Sequence, residues 1–329
     1  MRWIPRIILS FGMVMGAVLS LGPNCMGQER AVLDPQKADS DFAIQGEYVG
    51  EVLQDGVNVK LGIQLIAQGS SRFVGVGYFG GLPGDGWSGV EPIRTEGPLK
   101  NQSLELTTEA DVSIQNGVIT IRDNSGGFVG ECKKVSRTSP TLGEKPPTGA
   151  IVLFDGKSAD QFEGGKMDGD LLMQGVTSKQ KFQSYSLHLE FMLPYMPNER
   201  GQGRANSGCY AQGRYEVQIL DSFGLTGENN ECGGIYEISK PKVNMCFPPL
   251  AWQTYDIDFT AAKFDGAGKK TDHARMTVKH NGVLVQDNVA LTKATRAAPV
   301  AEGPEPGPIY LQDHGNPVRF RNIWLVEKK

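Results

Sequence analysis

Gly203-Gln-Gly-Arg-Ala-Asn-Ser-Gly-Cys-Tyr-Ala-Gln-Gly-Arg-Tyr-Glu-Val-Gln-Ile-Leu-Asp221 sets the reading of the chain, because polar and apolar side chains alternate along its second half. From Tyr215 onward, Tyr215, Val217 and Ile219 point to one face of an extended strand and Glu216 and Gln218 to the other. A carboxylate and an amide two residues apart on one sheet face make either a hydrogen-bonding ligand surface or a plain solvated face.

The same period of two recurs elsewhere. Val57, Val59, Leu61, Ile63 and Leu65 alternate with Asn58, Lys60, Gly62 and Gln64, the pattern of a half-buried strand. Asn116-Gly117 and Asn281-Gly282 each sit between apolar runs and favour the positive φ angles of tight hairpin turns. With 42 glycines and little helical periodicity, the chain reads as all-β. Further strands are expected at 185–193, 215–220, 254–259, 275–279, 283–286, 309–312 and 318–326.

Residues 42–135 read as a small β domain. Residues 136–149 hold three prolines and two glycines with little to bury, so they read as an extended, Pro-rich linker. The remaining stretch, 150–329, suits one sandwich or jelly roll. At the other end, Arg2 and Arg6 precede an uncharged apolar run over 7–21 that Gly22-Pro23 breaks. That order predicts a signal peptide over 1–27 with cleavage after Gly27, followed by a linker over 28–41. The run is shorter than the roughly 20 residues of a membrane-spanning helix. Cys25 lacks the small, apolar context of a lipid-attachment site. The expectation is an exported protein, periplasmic or extracellular, without a permanent membrane span.

Losing Arg2 and Arg6 and no acid takes the formal charge from -4 to -6, which excludes a phosphate-tracking nucleic-acid partner. Cys132, Cys209, Cys232 and Cys246 would remain. An oxidising compartment permits a disulfide, with Cys232 and Cys246 the nearest pair in sequence, and the spacing matches no zinc motif.

Several phrases in the second half carry more than pattern: Leu153-Phe-Asp-Gly-Lys157, Asn206-Ser-Gly208, Glu216-Val-Gln-Ile-Leu-Asp221, Gly234-Ile-Tyr236, His280-Asn-Gly282, Gly307-Pro-Ile-Tyr-Leu-Gln-Asp-His-Gly315 and Phe320-Arg-Asn-Ile323. In this order and spacing they resemble the 3-keto-disaccharide hydrolase domain family over residues 150–329. The resemblance implies a concanavalin-like jelly roll in an exported bacterial protein that handles sugars. The chain departs from the family pattern in a short stretch between Gly208 and Glu216, in Asn244-Met-Cys-Phe-Pro-Pro-Leu-Ala-Trp252 where a basic run is usual, and in Gln253 for asparagine.

A C3 ketone acidifies the C2 hydrogen of a sugar, so a base, a donor for the enolate oxygen and hydroxyl-binding groups suffice to expel the C1 substituent. Glu216 is the candidate base or ligand to a divalent metal ion, the one cofactor the residue types leave open. His314, in a Gln-Asp-His-Gly turn, is the candidate proton donor. Asn206, Gln218, Asp221, Tyr236, Gln312 and Arg319 are candidates for substrate binding. Trp252 is a second candidate for sugar stacking; Arg319 and Arg321 serve equally as partners of nearby acids. His188 and Glu190 either line the groove or face water, while His273 and His280, beside turns, are expected to be exposed. No dinucleotide loop or serine elbow is convincing. The expected substrate is a 3-keto-glycoside or disaccharide delivered by an upstream sugar 3-dehydrogenase; the alternative is a non-catalytic carbohydrate-binding or envelope interaction protein.

Overall fold

A computed structural model describes residues 31–105 and 110–328. The expected signal peptide, with Cys25 and the cleavage point after Gly27, lies outside the described residues. Two-residue turns build the first body. At Asp55-Gly56 (φ 49° and 81°), Asn101-Gln102 (49° and 66°) and Asn116-Gly117 (50° and 75°) both residues take positive φ. Such turns match the twist of the strands they join.

These turns join β1 (Gly46–Gln54) to β2 (Val57–Ala67), β4 (Ile93–Lys100) to β5 (Ser103–Leu104) and β6 (Ala110–Gln115) to β7 (Val118–Asp123), and with β3 (Arg72–Phe79) and β8 (Phe128–Val135) the strands form a closed barrel. β8 closes on β1 through a seam in which Gly50 pairs with Cys132 and Val52 with Gly130. A Cβ on Gly50 would stand 1.8 Å from the Glu131 carbonyl, and one on Gly130 2.2 Å from that of Glu51. Only glycine permits this approach.

The second body comprises β9 (Ile151–Phe154), β10 (Phe162–Glu163), β11 (Met167–Asp168), β12 (Leu171–Met173), β13 (Val176–Phe182), β14 (Tyr185–Met192), β15 (Ser207–Ala211), β16 (Tyr215–Ile219), β17 (Trp252–Thr260), β18 (Lys263–Phe264), β19 (Lys270–Asp272), β20 (Ala274–His280), β21 (Val283–Leu291), β22 (Gly307–Leu311) and β23 (Arg319–Glu327). Five of them form one sheet in the order β10-β13-β22-β15-β16; an eight-stranded sheet runs β11-β12-β23-β14-β17-β20-β21, with β9 added beside β23. Their inner faces share one core, in which Tyr215, Val217, Ile219 and Leu311 of the first meet Leu189, Phe191, Tyr255 and Phe259 of the second. The result is an all-β sandwich preceded by a small barrel.

The bodies are not loosely strung. Ile66, Val76 and Tyr78 leave the barrel's outer face and enter the sandwich core, while Tyr195 of the sandwich is buried in the barrel's cluster. The 28–41 stretch, read as linker, is structured where described: Val32 bridges to Tyr195, and Asp39 caps α1 (Ser40–Ile44) while accepting the Tyr195 hydroxyl at 2.9 Å. Residues 136–149 are free of helix and strand, yet they are anchored. Arg137 grips buried Glu47 through two nitrogens (Nε to Oε2 2.7 Å, Nη2 to Oε1 2.5 Å), the Thr141 hydroxyl bonds Thr254 and Asp256 at 2.8 Å each, and the Gly143 N–H donates to Glu190 at 2.6 Å. The low apolar content of this stretch predicted little burial; polar contacts hold it instead. Cys232 and Cys246 are buried and free, so the permitted disulfide is not formed. Among the described residues no helix is long and apolar enough to cross a membrane.

Glu47 also accepts from buried Gln64 at 3.0 Å. Glu47→Ala should therefore strand the buried Gln64 amide and the half-buried Arg137 guanidinium and cost about 3 kcal/mol, seen as a lower urea midpoint at unchanged slope; a loss under about 0.5 kcal/mol would show that the Arg137 anchor is dispensable.

Candidate functional site

Strand register places the candidate residues. Cys209 pairs with Val217 and Leu311, and Ala211 with Tyr215, all facing the core. The alternate residues therefore share the outer face of the five-stranded sheet, where Tyr210 stands between Tyr310 and Glu216 and Gly208 opposes Gln218. The Tyr210 hydroxyl donates to Glu216 Oε2 at 2.8 Å, and Gln312 Nε2 donates to that hydroxyl at 3.1 Å. Glu216 and Gln312 are thus joined through Tyr210. The backbone of Glu216 is held as well, its N–H on Thr295 Oγ1 at 3.0 Å and its carbonyl on the Tyr236 N–H at 3.1 Å.

Gly208 makes room for this carboxyl. A Cβ there would lie 2.1 Å from Glu216 Oε1. Loops cover the group to 2% exposure, while Tyr236, Tyr310 and Gln312 remain half-buried and Arg296 exposed around it. Burial pushes the Glu216 carboxyl up to about 8, with the Tyr210 hydrogen bond pulling the other way. Burial and the charge of Glu216 raise Tyr210 in turn. Tyr236 is raised by burial first, then by Glu216 and Glu237, against the opposing Arg296. A carboxyl titrating near 8 exchanges a proton in the range where acid–base catalysis works best.

Amides gather next to it. Asn206 Nδ2 donates to the carbonyl and Oε1 of Gln202 at 2.9 and 3.1 Å, and Gln218 Nε2 reaches the same Oε1 at 3.1 Å. Asn206 Oδ1 is buried without a partner among the described residues. His314 sits exposed in the turn after β22, where Asp313 Oδ1 accepts the Gly315 N–H at 2.8 Å.

Two candidates have other employment. Asp221 is buried in an ion pair with Arg204 (2.5 Å), in a pocket lined also by Ile66 and Arg94 at the barrel junction. Arg319 belongs to the eight-stranded sheet, where it pairs with Asp168 at 3.0 Å and Gln174 at 3.1 Å. Trp252 lies on that sheet too, under the Arg321 guanidinium at 4.0 Å. The sequence reading missed Tyr210, Thr295 and Gln202. Tyr210 was accessible, since folding β15 back on β16 through the short 212–214 connection sets it opposite Glu216.

The outer face of the eight-stranded sheet carries a second polar cluster, roofed by residues 139–144. His188 Nδ1 meets Asp256 Oδ1 at 2.6 Å, its Nε2 lies 3.6 Å from Glu190 Oε1, and its ring stacks on Trp324. Burial opposes the charge on His188, but the two carboxylates prevail and raise it to about 9. Burial likewise opposes ionised Glu190, yet His188, Asn322, Arg321 and the Gly143 N–H hold it down to about 2. Among the described residues, the group of three donors able to hold a metal is Glu144, His188 and Asp256, on this sheet and away from Glu216. His280 is not exposed: it is fully buried against Phe191 and Tyr255, bonded to Gln253 Oε1 at 2.9 Å, and burial drives it down to about 3.

Residues 149–326 match the 3-keto-alpha-glucoside-1,2-lyase-like domain. A crystal structure of a candidate glycosyl hydrolase from Parabacteroides distasonis is 35% identical to the chain, covering 55% of it and 85% of that protein, with a TM-score of 0.50. A second structure so described from the same organism is 16% identical with a TM-score of 0.40, covering 55% of the chain and 94% of its own. No curated protein matches the sequence.

Two outcomes follow from the site. A carboxyl raised from 4.5 to about 8 stabilises the fold fully below pH 4.5 and loses that contribution as pH rises through 8. Glu216→Gln should accordingly melt near the wild type at pH 4.5 and several degrees above it at pH 9; the reverse order in thermal melts would refute the buried, proton-retaining carboxyl. Gly208→Ala must push the carboxylate aside, so carbon-13 NMR should find Glu216 titrating at least one unit away from its wild-type midpoint, in a protein that still folds.

Proposed function

The chain belongs to the 3-keto-alpha-glucoside-1,2-lyase-like domain family, and from that premise we propose that it cleaves the glycosidic bond of a 3-keto-glycoside or disaccharide, with Glu216 as the base. Family membership and the likeness to the 35% identical crystal structure support a glycoside hydrolase-like function with a carbohydrate substrate. The observation that carries the finer reading is Glu216 itself, a carboxyl buried on the sheet face, bonded to Tyr210 and titrating near 8.

The reaction balances with one base and one donor. Glu216 takes the C2 proton, and the C–H pair forms the enolate with charge on the C3 oxygen. The enolate collapses to restore the ketone, C1=C2 forms, and the C1–O bond breaks with its electrons on the departing oxygen, which takes a proton. Water then adds across C1=C2, hydroxyl to C1 and hydrogen to C2, and the net change is hydrolysis. Glu216 and a second acid need not flank the bond, unlike the paired carboxylates of ordinary glycosidases. His314, exposed two residues beyond Gln312, is our candidate donor to the leaving oxygen, and Gln312, Gln218, Asn206 and Tyr236 supply hydroxyl partners. Such a substrate requires prior oxidation at C3, the work of a sugar 3-dehydrogenase. Arg2, Arg6 and the uncharged 7–21 run support an exported setting for both steps.

A 3-keto-glucoside should be cleaved and the matching unoxidised glucoside left intact, since its C2 hydrogen is too weakly acidic for a carboxylate. Glu216→Gln should lower kcat by about 10²–10⁴ with little change in KM. The wild-type kcat should rise with pH to a plateau above about 8, where Glu216 is ionised. In deuterated water the released keto sugar should carry deuterium at C2. Equal cleavage of both glucosides without label would rule out this chemistry, and saturable sugar binding without turnover would make the protein a binding module.

A further inference from the structure

The barrel encloses an apolar cavity of about 260 Å³, larger than the roughly 150 Å³ cavity that admits benzene in an engineered protein core. Strand pairing explains its lining. Leu61, Ile63 and Leu65 of β2 face Phe79, Gly77 and Gly75 of β3, which in turn oppose Ile93 and Thr95 of β4, so every second residue points inward. Thr95 is the polar member of the lining, and it turns its methyl toward Gly75. Water entering here would find few hydrogen-bond partners.

Two glycines hold the space open. At Gly50 and Gly130 the neighbouring backbone forbids a side chain, but a Cβ on Gly77 would meet Leu61 Cδ1 at 3.7 Å and Ile93 Cβ at 3.9 Å, ordinary contacts. Gly75 is only slightly tighter, at 3.3 Å from Thr95 Cγ2. A larger residue would fit at Gly77, and its absence leaves the void. From Leu61 to Leu65 the lining runs along about 13 Å of strand, which makes the space elongated.

One end is shut and the other is greasy. Tyr48, Ala67 and Phe73 pack with Tyr195 and with Phe42 and Ile44 of α1 at the first end. At the other, Leu53 and Val57 flank the β1–β2 turn, Val90 and Ile93 lead into β4, and Phe128 begins β8; these are five of the eight exposed large hydrophobic side chains among the described residues. Val57 and Ile93 keep the inward alternation of the lining, and Phe128 stands next to the lining residue Val129, so cavity wall and exposed rim adjoin. We propose that this barrel is a binding site for a single aliphatic chain, inserted end-on past Phe79 and Ile93, with the polar end of the molecule left at the rim. The lining specifies the chain alone, which a free fatty acid or the alkyl aglycone of a glycoside would each supply.

Titration of the full protein with cis-parinaric acid, whose fluorescence rises in an apolar site, tests this. Saturable one-to-one binding is expected, weakened at least tenfold in Gly77→Leu, which fills the cavity, and several-fold in Phe128→Asp, an exposed rim change that leaves the fold intact by thermal melting. Displacement by palmitate and by dodecyl maltoside would support recognition of the chain whatever its head; displacement by palmitate alone would support it with a free acid as source. No saturable uptake by the wild type, or unchanged affinity in a folded Gly77→Leu protein, would overturn the site. So would sedimentation with phosphatidylcholine vesicles without parinarate uptake, which would make the rim a membrane contact.

Discussion

The exchange of buried side chains between barrel and sandwich constrains everything around it. Ile66, Val76 and Tyr78 can enter the sandwich core only because β2 and β3 present opposite faces to opposite environments, the barrel lumen on one side and the second body on the other. That docking brings the Ala67 carbonyl to Arg204 and the Gly224 carbonyl to Arg94. Arg204, buried there, needs an acid, and Asp221 supplies it at 2.5 Å. The pair fixes both ends of the segment that contains β15 and β16, so the strands carrying Gly208, Tyr210 and Glu216 are braced from the barrel side. Asp221 thus belongs to the frame of the site.

Two buried glutamates show how the groups around a carboxyl set its hold on a proton. Glu190 and Glu216 each sit on the outer face of a sandwich sheet, nearly free of solvent. Burial pushes both upward. Glu190 meets His188, Arg321, Asn322 and a backbone N–H, enough to reverse the effect and lower it to about 2, whereas Glu216 has the Tyr210 hydroxyl against its burial and rises to about 8. A carboxylate surrounded by donors and cations is locked in its charged form and serves the packing of residues 139–144. A carboxyl with a neutral phenol for company keeps its proton up to about pH 8, which suits the base role proposed for Glu216.

How much of this was legible in the sequence depended on whether the deciding contact was local. Alternation in Val57–Leu65 and Tyr215–Ile219, and the Asn-Gly turns, act over a few residues, and they located strands and the face of Glu216. Even His280 carried a readable signal, since it shares parity with Ala274, Met276 and Val278 on β20; the adjacent Asn281-Gly282 turn hid it. Closure of β8 on β1 was not legible, because no local rule pairs residues some eighty apart, and Gly50 and Gly130 explain themselves only once the seam is known. The partners of Asp221 and Arg319 were equally hidden, as ion pairs are set by which strands become neighbours. Residues 136–149 are weakly buried, as their composition predicted, but their anchoring was not legible, because the donors and acceptors that hold them lie on Glu47, Thr254 and Glu190.

Glycine connects these levels. At the barrel seam and at Gly208 it permits an approach that any side chain would block, in one case backbone to backbone and in the other backbone to a catalytic candidate. At Gly77 no such approach exists, and the missing side chain becomes empty volume. Close packing is the normal condition of a protein interior, so a void walled by residues that could be larger carries a cost in lost dispersion contacts. The barrel tolerates that cost while its other end, filled by Tyr48, Phe73 and Tyr195, is packed solid. One body therefore contains both a structural half, which anchors the sandwich, and an unfilled half facing solvent, which is the division of labour expected of a scaffold that also holds a ligand.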